Sequence, residues 1–285
     1  MRSGNRREMI TGTDITTRNI GLFNLSKHNV YIIGAGAIGS FTSKALVRSG
    51  CQRLMLQDHD IVGIENVGVQ DYTISDIGVK KVDALSNSLL DLNPTAIVTT
   101  EDRIWKRIIG DSGTAHCDFY IAGVDTLILA LDNMKIRKQI VEYYSKHASK
   151  KDLQKLNLID ARMGSEVFQM YVFKPGWTLD DYLKTWYKDD ESDREPCNAR
   201  STAYCAAMAG AYICNQVKKL AENQPVEREL TFSFNGMVLD AKSEVPEIKK
   251  FLKPQPKEEK EIEVSPEILD NLDTDTSTLF PDLPL

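Results

Sequence analysis

The chain has 285 residues, 42% apolar and 27% charged, with 35 basic and 41 acidic side chains and a net charge of −6. This composition is globular, suits one large α/β domain or two small ones, and argues against a protein whose main work is gripping nucleic acid. No apolar stretch reaches the roughly 20 residues of a membrane helix, and the basic N-terminus lacks the apolar core of a secretory signal. Five cysteines are too few for a disulfide scaffold, so a reducing cytoplasm is the expected setting.

Asn29–Ile33 (NVYII) predicts a short buried strand, and residues 40–49 a helix closed by Gly50. Residues 52–57 predict a second strand. Val82, Leu85, Leu89 and Leu92 recur at helical spacing until Asn93-Pro94 stops them, which predicts a helix over 78–92. Residues 96–100 predict a third strand. Strand alternating with helix implies parallel pairing and an α/β sheet. Residues 118–131 form an apolar run broken only by Asp125. A helix is predicted over 133–147, then strands over 156–161 and 166–173 on either side of Arg162-Met163-Gly164. Residues 174–198 read as a polar loop, 200–221 as an Ala-rich helix, and 229–240 as a hairpin turning on Asn235-Gly236.

From Lys253 onward three lysines face nine acidic residues, which accounts for the whole net charge. This stretch lacks the apolar surface to offset its ordering entropy. The expected division is a body over 1–252, formally neutral, and a disordered acidic tail over 253–285.

The clearest motif is Gly34-Ala35-Gly36-Ala37-Ile38-Gly39-Ser40, after a strand and before a helix. Gly34 permits a tight turn, Gly36 and Ala37 let a phosphate approach the backbone, and Gly39 lets helix and strand pack closely. Asp58, with Asp60 beside it, ends the second strand where an acid would bond a ribose hydroxyl. On this motif alone an NAD-dependent dehydrogenase and an ATP-using enzyme fit equally well.

The next segment separates them. Asp58-His-Asp60-Ile-Val62, then Asn66-Val-Gly-Val69-Gln70, Asp76-Ile-Gly78-Val-Lys80-Lys81 and Asn93-Pro94, closely resembles the ThiF/MoeB/HesA family of ubiquitin-activating-enzyme-like adenylyltransferases. Asp132-Asn133-Met-Lys-Ile-Arg137, Arg162-Met163-Gly164, and Cys197 ahead of the Ala-rich helix continue the resemblance over residues 18–240. It implies a Rossmann-like mixed, mostly parallel sheet with helices on both faces, and ATP with Mg²⁺ as cofactors. It also implies activation of the C-terminal carboxylate of a small ubiquitin-like or sulfur-carrier protein ending in Gly-Gly, by a homodimer. The alternatives are an inactive nucleotide-binding scaffold of the same fold, or adenylylation of another carboxylate, peptide or tRNA. Nucleic acid is the weaker expectation as partner.

By the same resemblance Lys81 is the phosphate lysine, while Lys80 is solvated. Asn66 and Gln70 lie at the nucleotide. Asp132 is the Mg²⁺-linked aspartate, favoured over Asp125 because Asn133 and Arg137 accompany it. Asp125 competes because it also ends an apolar run. Cys197 is the candidate thiol for a thioester or acyl-disulfide, and Arg18 the candidate to reach a partner protomer's site. Val69 departs from the pattern, since the family places an arginine there. No CxxC pair exists, so no zinc site is expected, and Cys205 and Cys214 are expected as buried apolar groups.

Overall fold

The computed structural model describes residues 14–19, 21–104, 108–109, 115–116, 123–187 and 201–243. In chain order the first half runs β1 (Asn29–Ile33), α1 (Ala37–Arg48), β2 (Arg53–Gln57), α2 (Ile64–Val67), α3 (Lys81–Leu92) and β3 (Ile97–Glu101). A short hairpin of β4 (Ile108–Ile109) and β5 (Ala115–His116) follows, then β6 (Thr126–Leu129), α4 (Met134–His147), α5 (Lys150–Leu153) and β7 (Asn157–Gly164). The chain continues through β8 (Val167–Phe173), α6 (Leu179–Leu183), α7 (Ala203–Ala221), β9 (Glu227–Ser233) and β10 (Val238–Ser243).

Among the described residues, eight strands form one sheet in the order β10-β9-β8-β7-β6-β1-β2-β3. From β7 to β3 all neighbours pair in parallel, and β8, β9 and β10 add antiparallel strands. The expected mixed, mostly parallel Rossmann-like sheet is therefore what forms. The central strand shows why. Val30 and Ile32 point into one core with α1, α3 and α7, while Tyr31 and Ile33 point into a second core with α4. A strand buried on both faces needs the unbroken apolar run that NVYII supplies. Each such side chain contributes about 1.5–3 kcal/mol when fully buried.

Small residues set the helix layer. A Cβ at Gly210 would lie 2.9 Å from the Phe41 carbonyl carbon, so the glycine lets the backbones of α7 and α1 approach closely.

Several boundaries differ from expectation for local reasons. Helix α3 starts at Lys81, not residue 78, because Ile61 and Lys80 form an antiparallel bridge. Strand β7 runs through Arg162-Met163-Gly164, and the turn falls at Ser165-Glu166, with Ser165 at φ +48°. The expected polar loop after β8 contains α6, where Thr178 and Asp181 cap each other. The last hairpin turns through four residues, 234–237, with Met237 at φ +49°. Residues 253–285, the expected tail, lie outside the described residues.

The order of the sheet positions the site. After β1 the chain steps outward through β2 and β3, then returns to β6 on the other side of β1. The connections leaving β1 and β6 diverge onto α1 and α4 on opposite faces, and in sheets of this order the ligand crevice lies at the strands' carboxyl ends.

Candidate active site

The glycine loop begins where β1 ends. Gly34 has φ +104°, and a Cβ there would lie 2.5 Å from the Ala130 carbonyl oxygen. A Cβ at Gly39 would lie 1.9 Å from the Gly34 carbonyl oxygen. Only glycine lets α1 start this close to the strand end. Gly36 is the opposite case: nothing lies within 4 Å of an added Cβ. It is the N-cap of α1 and brings no side-chain cap, so the first-turn N–H groups, from Ala37 onward, are left for an anion.

Asp58 lies just past β2 and holds this loop. One carboxylate oxygen accepts the Ala35 N–H at 2.7 Å and the other accepts the Asp60 N–H at 2.9 Å. Tyr72 is buried, and its hydroxyl donates to the Ala35 carbonyl at 2.7 Å. The Ala35 residue is thus held through both its N–H and its C=O. Burial, with Asp58, Asp76, Asp71 and Asp60 nearby, pushes the Tyr72 phenol well above its usual pKa. It stays protonated and remains a donor. Sequence reading missed Tyr72; its only signal was an aromatic two residues after Gln70.

The segment from 59 to 81 folds back beside the loop. Val62 N–H donates to Val79 O and Lys81 N–H to Asp60 O, both within 2.9 Å. Lys81 is thereby turned inward: its side chain is 7% exposed, with Nζ 2.9 Å from Asp60 Oδ2. Lys80 points outward and pairs with Asp102. His59 is exposed, 3.3 Å from Asp60. Asn66 closes α2 by accepting the Gly63 N–H at 2.8 Å. Gln70 Oε1 is buried with no hydrogen-bond partner among the described residues. Its neighbour Asp71 is bound to α1 by Ser40 Oγ at 3.0 Å and by Lys44 Nζ at 3.0 Å. Val69, half-buried, brings no cation to this segment.

Asp132 lies three residues beyond β6, exposed, just before Asn133 caps α4 by accepting the Ile136 N–H at 2.9 Å. The structure brings the glycine loop, Asp58, Asp60, Lys81 and Asp132 to one edge of the sheet. Arg137 does not face this crevice. It is buried, pairs with Asp160, and donates to the carbonyls of Leu129, Leu131 and Ala161. Asp160 also binds Arg162 at 2.6 Å, and that guanidinium stacks on Tyr171 at 4.6 Å and Tyr187 at 5.0 Å. This buried network clamps the ends of β6 and β7. Its sequence signal was an acid inside an apolar strand.

Two expected site residues lie elsewhere. Asp125 precedes β6, at the amino edge, with the length of the strand between it and the crevice. Its carboxylate accepts the Asn29 N–H at 2.8 Å and its carbonyl accepts the Asn157 amide. It ties strand starts together, and its place in a nucleotide site is corrected accordingly. Arg18 is exposed in a 3-10 turn, Asp14–Asn19, at the same amino edge, where Thr16 packs against Gly50. Within one chain it is remote from the glycine loop. Cys197 lies outside the described residues. Cys205 and Cys214 are buried, as expected, and burial pushes the Cys205 thiol up to about 11.

Asp132 offers an exposed carboxylate of the kind a hard cation takes. Ligand atoms of Asp58, His59 and Asp60 also lie within 4.8 Å of one another, with Asp60 already paired to Lys81.

The chain is similar to known proteins. The family model for the ThiF family matches residues 15–258. A tRNA threonylcarbamoyladenosine dehydratase of Bacillus subtilis is 33% identical over 115 residues, 40% of this chain and 43% of that protein. A ubiquitin-like modifier-activating enzyme 5 of Oryza sativa is 27% identical over 39% of this chain and 28% of its own length. The chain thus spans less than half the length of these curated relatives. Among solved structures, PaaA superposes with TM-score 0.58 at 19% identity, over 77% of this chain and 64% of that one. E. coli MccB, crystallised with AMPCPP and MccA, superposes with TM-score 0.58 at 18% identity over the same shares. At that identity the likeness is one of fold, and the fold agrees with the match along the sequence: the chain belongs to the ThiF family.

Proposed function

We propose that this chain is an ATP-dependent adenylyltransferase that activates a carboxylate. The observation that carries the reading is the glycine loop at the switch point of the sheet, with Lys81 turned inward beside it and Gln70 Oε1 without a partner among the described residues. In this reading the triphosphate lies over Gly36 and Ala37, against the first-turn N–H groups of α1. A Cβ would fill the open space above Gly36, and phosphate takes its place. Asp58 receives a ribose hydroxyl; the Ala35 and Asp60 N–H groups fix its orientation. Gln70 and Asn66 face the nucleotide. Lys81 balances the charge that builds on the phosphates during transfer. Asp60 orients Lys81 until the nucleotide competes for it. Mg²⁺, held by Asp132, would supply further charge neutralisation when bound with ATP.

The substrate carboxylate oxygen attacks the α-phosphorus in line. The bond from that phosphorus to the β-bridging oxygen breaks, and pyrophosphate leaves. With Val69 in the family's arginine position, Lys81 is the chief cation of the site. Arg18 acts across a homodimer, and Cys197 is the acceptor where the acyl group moves on to a thiol.

The substrate is the C-terminal carboxylate of a small ubiquitin-like or sulfur-carrier protein. Relatives named ubiquitin-like modifier-activating enzyme 5, from rice and insects, support this. A second reading is favoured by relatives named tRNA threonylcarbamoyladenosine dehydratase, from bacteria and yeast. A threonylcarbamoyl group carries a free carboxylate, and its loss of water can begin with the same adenylylation. The test is ATP–pyrophosphate exchange with either a Gly-Gly-ended carrier or a tRNA bearing the threonylcarbamoyl group. Exchange that requires one of them selects that reading. ATP bound without exchange on either substrate leaves the inactive scaffold.

A further inference from the structure

A neutral body is not a body with evenly mixed charge. Helix α4 starts two residues after Asp132 at the carboxyl edge and runs 14 residues to the amino edge, about 21 Å. Its inner face is buried through Ile140, Val141 and Tyr144. Its outer side and the elements that follow carry Lys135, Lys138, Lys146, Lys150, Lys151 and Lys155; five of these are exposed and Lys138 is half-buried. The acids between them are two. Glu142 lies 3.8 Å from Lys138, and Asp152 is taken up by the Ser149 hydroxyl that caps α5. Arg137, the other cation of the helix, is buried on Asp160 and adds nothing to this surface.

We infer that this lysine track along α4 and α5 is a docking surface for the phosphate backbone of RNA, leading to the crevice at Asp132. Like charges this dense repel one another and lower stability. A polyanion relieves that repulsion and gains from counterion release. The length of the track matches several consecutive phosphates rather than one small anion, and its first lysine is one turn from the proposed catalytic edge. Lys138 lies 4.7 Å from the Trp186 ring centroid, while the five exposed lysines are long, flexible side chains suited to phosphates, so the contact positions a backbone rather than reading bases. The inference bears on the second substrate reading given above, but binding itself requires no ATP.

The experiment uses the full chain, without nucleotide, and a fluorescein-labelled unmodified tRNA transcript followed by anisotropy at several KCl concentrations. The affinity should fall steeply with salt, with a log–log slope of about −3 to −4, the scale for four to six phosphate contacts. The triple variant K150A/K151A/K155A should bind at least about tenfold more weakly at 100 mM salt and lose about 2 units of that slope. The matching triple arginine variant should retain binding. Equal melting temperatures exclude misfolding of these surface variants. No binding by the wild-type chain at 100 mM salt overturns the inference, as does a triple alanine variant that binds like wild type. Displacement by polyglutamate as effective per charge as by tRNA assigns the surface to acidic protein and also overturns it. Pyrophosphate exchange is measured on the same preparations. RNA binding without exchange leaves the docking surface standing while the adenylylation reading fails; exchange without RNA binding does the reverse.

Discussion

Two aspartates bracket strand β6, and they do opposite things. Asp132 follows the strand, exposed, at the edge that holds the glycine loop. Asp125 precedes it, and its carboxylate is occupied by the Asn29 N–H. Its charge acts on His28, whose Nε2 lies 2.9 Å from Thr126 Oγ1. A carboxylate that accepts a backbone N–H from the neighbouring strand start ties the fold together. One left open at the carboxyl edge of a parallel sheet is available to a ligand. Around β6 the amino edge therefore holds an aspartate taken up by the backbone, and the carboxyl edge one that stands exposed.

The largest expected effect tests the open edge. Lys81→Ala should lower pyrophosphate exchange by about 10²–10³-fold, the scale of removing one preorganised electrostatic group, with ATP binding weakened as well. Exchange within threefold of wild type would move the phosphate cation elsewhere. Next, the two aspartates are set against each other. Asp132→Asn should lower exchange by about 10²-fold with little change in melting temperature. Asp125→Asn should cost about 1–2 kcal/mol of stability, read by urea unfolding, with exchange per folded molecule unchanged. A reversal of that pattern would break the division between edges.

A smaller effect is expected at Tyr72. Tyr72→Phe removes the donor to the Ala35 carbonyl, and the loop should lose part of its preorganisation. KM for ATP should rise about fivefold with kcat little changed, the scale of one neutral hydrogen bond. A fall in kcat at constant KM would place Tyr72 in the chemistry instead.

The smallest effect is a pH dependence from the closed edge. Burial lowers the His28 pKa from its usual 6.5, with Asp125 opposing the shift. The unfolded chain then binds a proton more readily than the folded one. Stability from this group is fully present above pH 6.5 and declines as pH falls from there toward the folded value. His28→Gln should flatten that decline in melting temperature between pH 7 and 5. An unchanged decline would assign it to other groups.

Much of the site was legible because its residues are close in sequence or carry a strict backbone demand. Gly34 at φ +104° and Gly39 against the Gly34 carbonyl admit no other residue, so the motif could be read directly. Asp58 could be placed because a strand end plus a fixed spacing puts an acid beside the loop. The two lysines at 80 and 81 were separable only by resemblance; the bridge between Ile61 and Lys80 is what turns one outward and the other inward. Tyr72, Asp160 and the clamp by Arg137 were not legible. Each works through a contact with a segment far away in the chain, Ala35 for Tyr72 and β7 for Arg137. The two-residue hairpin turn at Asn235-Gly236 failed because strand register, not local turn preference, set the loop at four residues.

The sequence by itself determined the long helices, most strands, the parallel core around NVYII and the glycine loop, since periodicity and glycine stereochemistry are local properties. Net charge was also read from it, but as one number for the body. Only the tertiary structure decided which end of β6 faces the crevice, that Arg137 and Arg162 meet on Asp160, and which lysines of 135–155 stand exposed. Those are matters of which atoms meet across the sheet, and burial of one partner by another has no local signature in the chain.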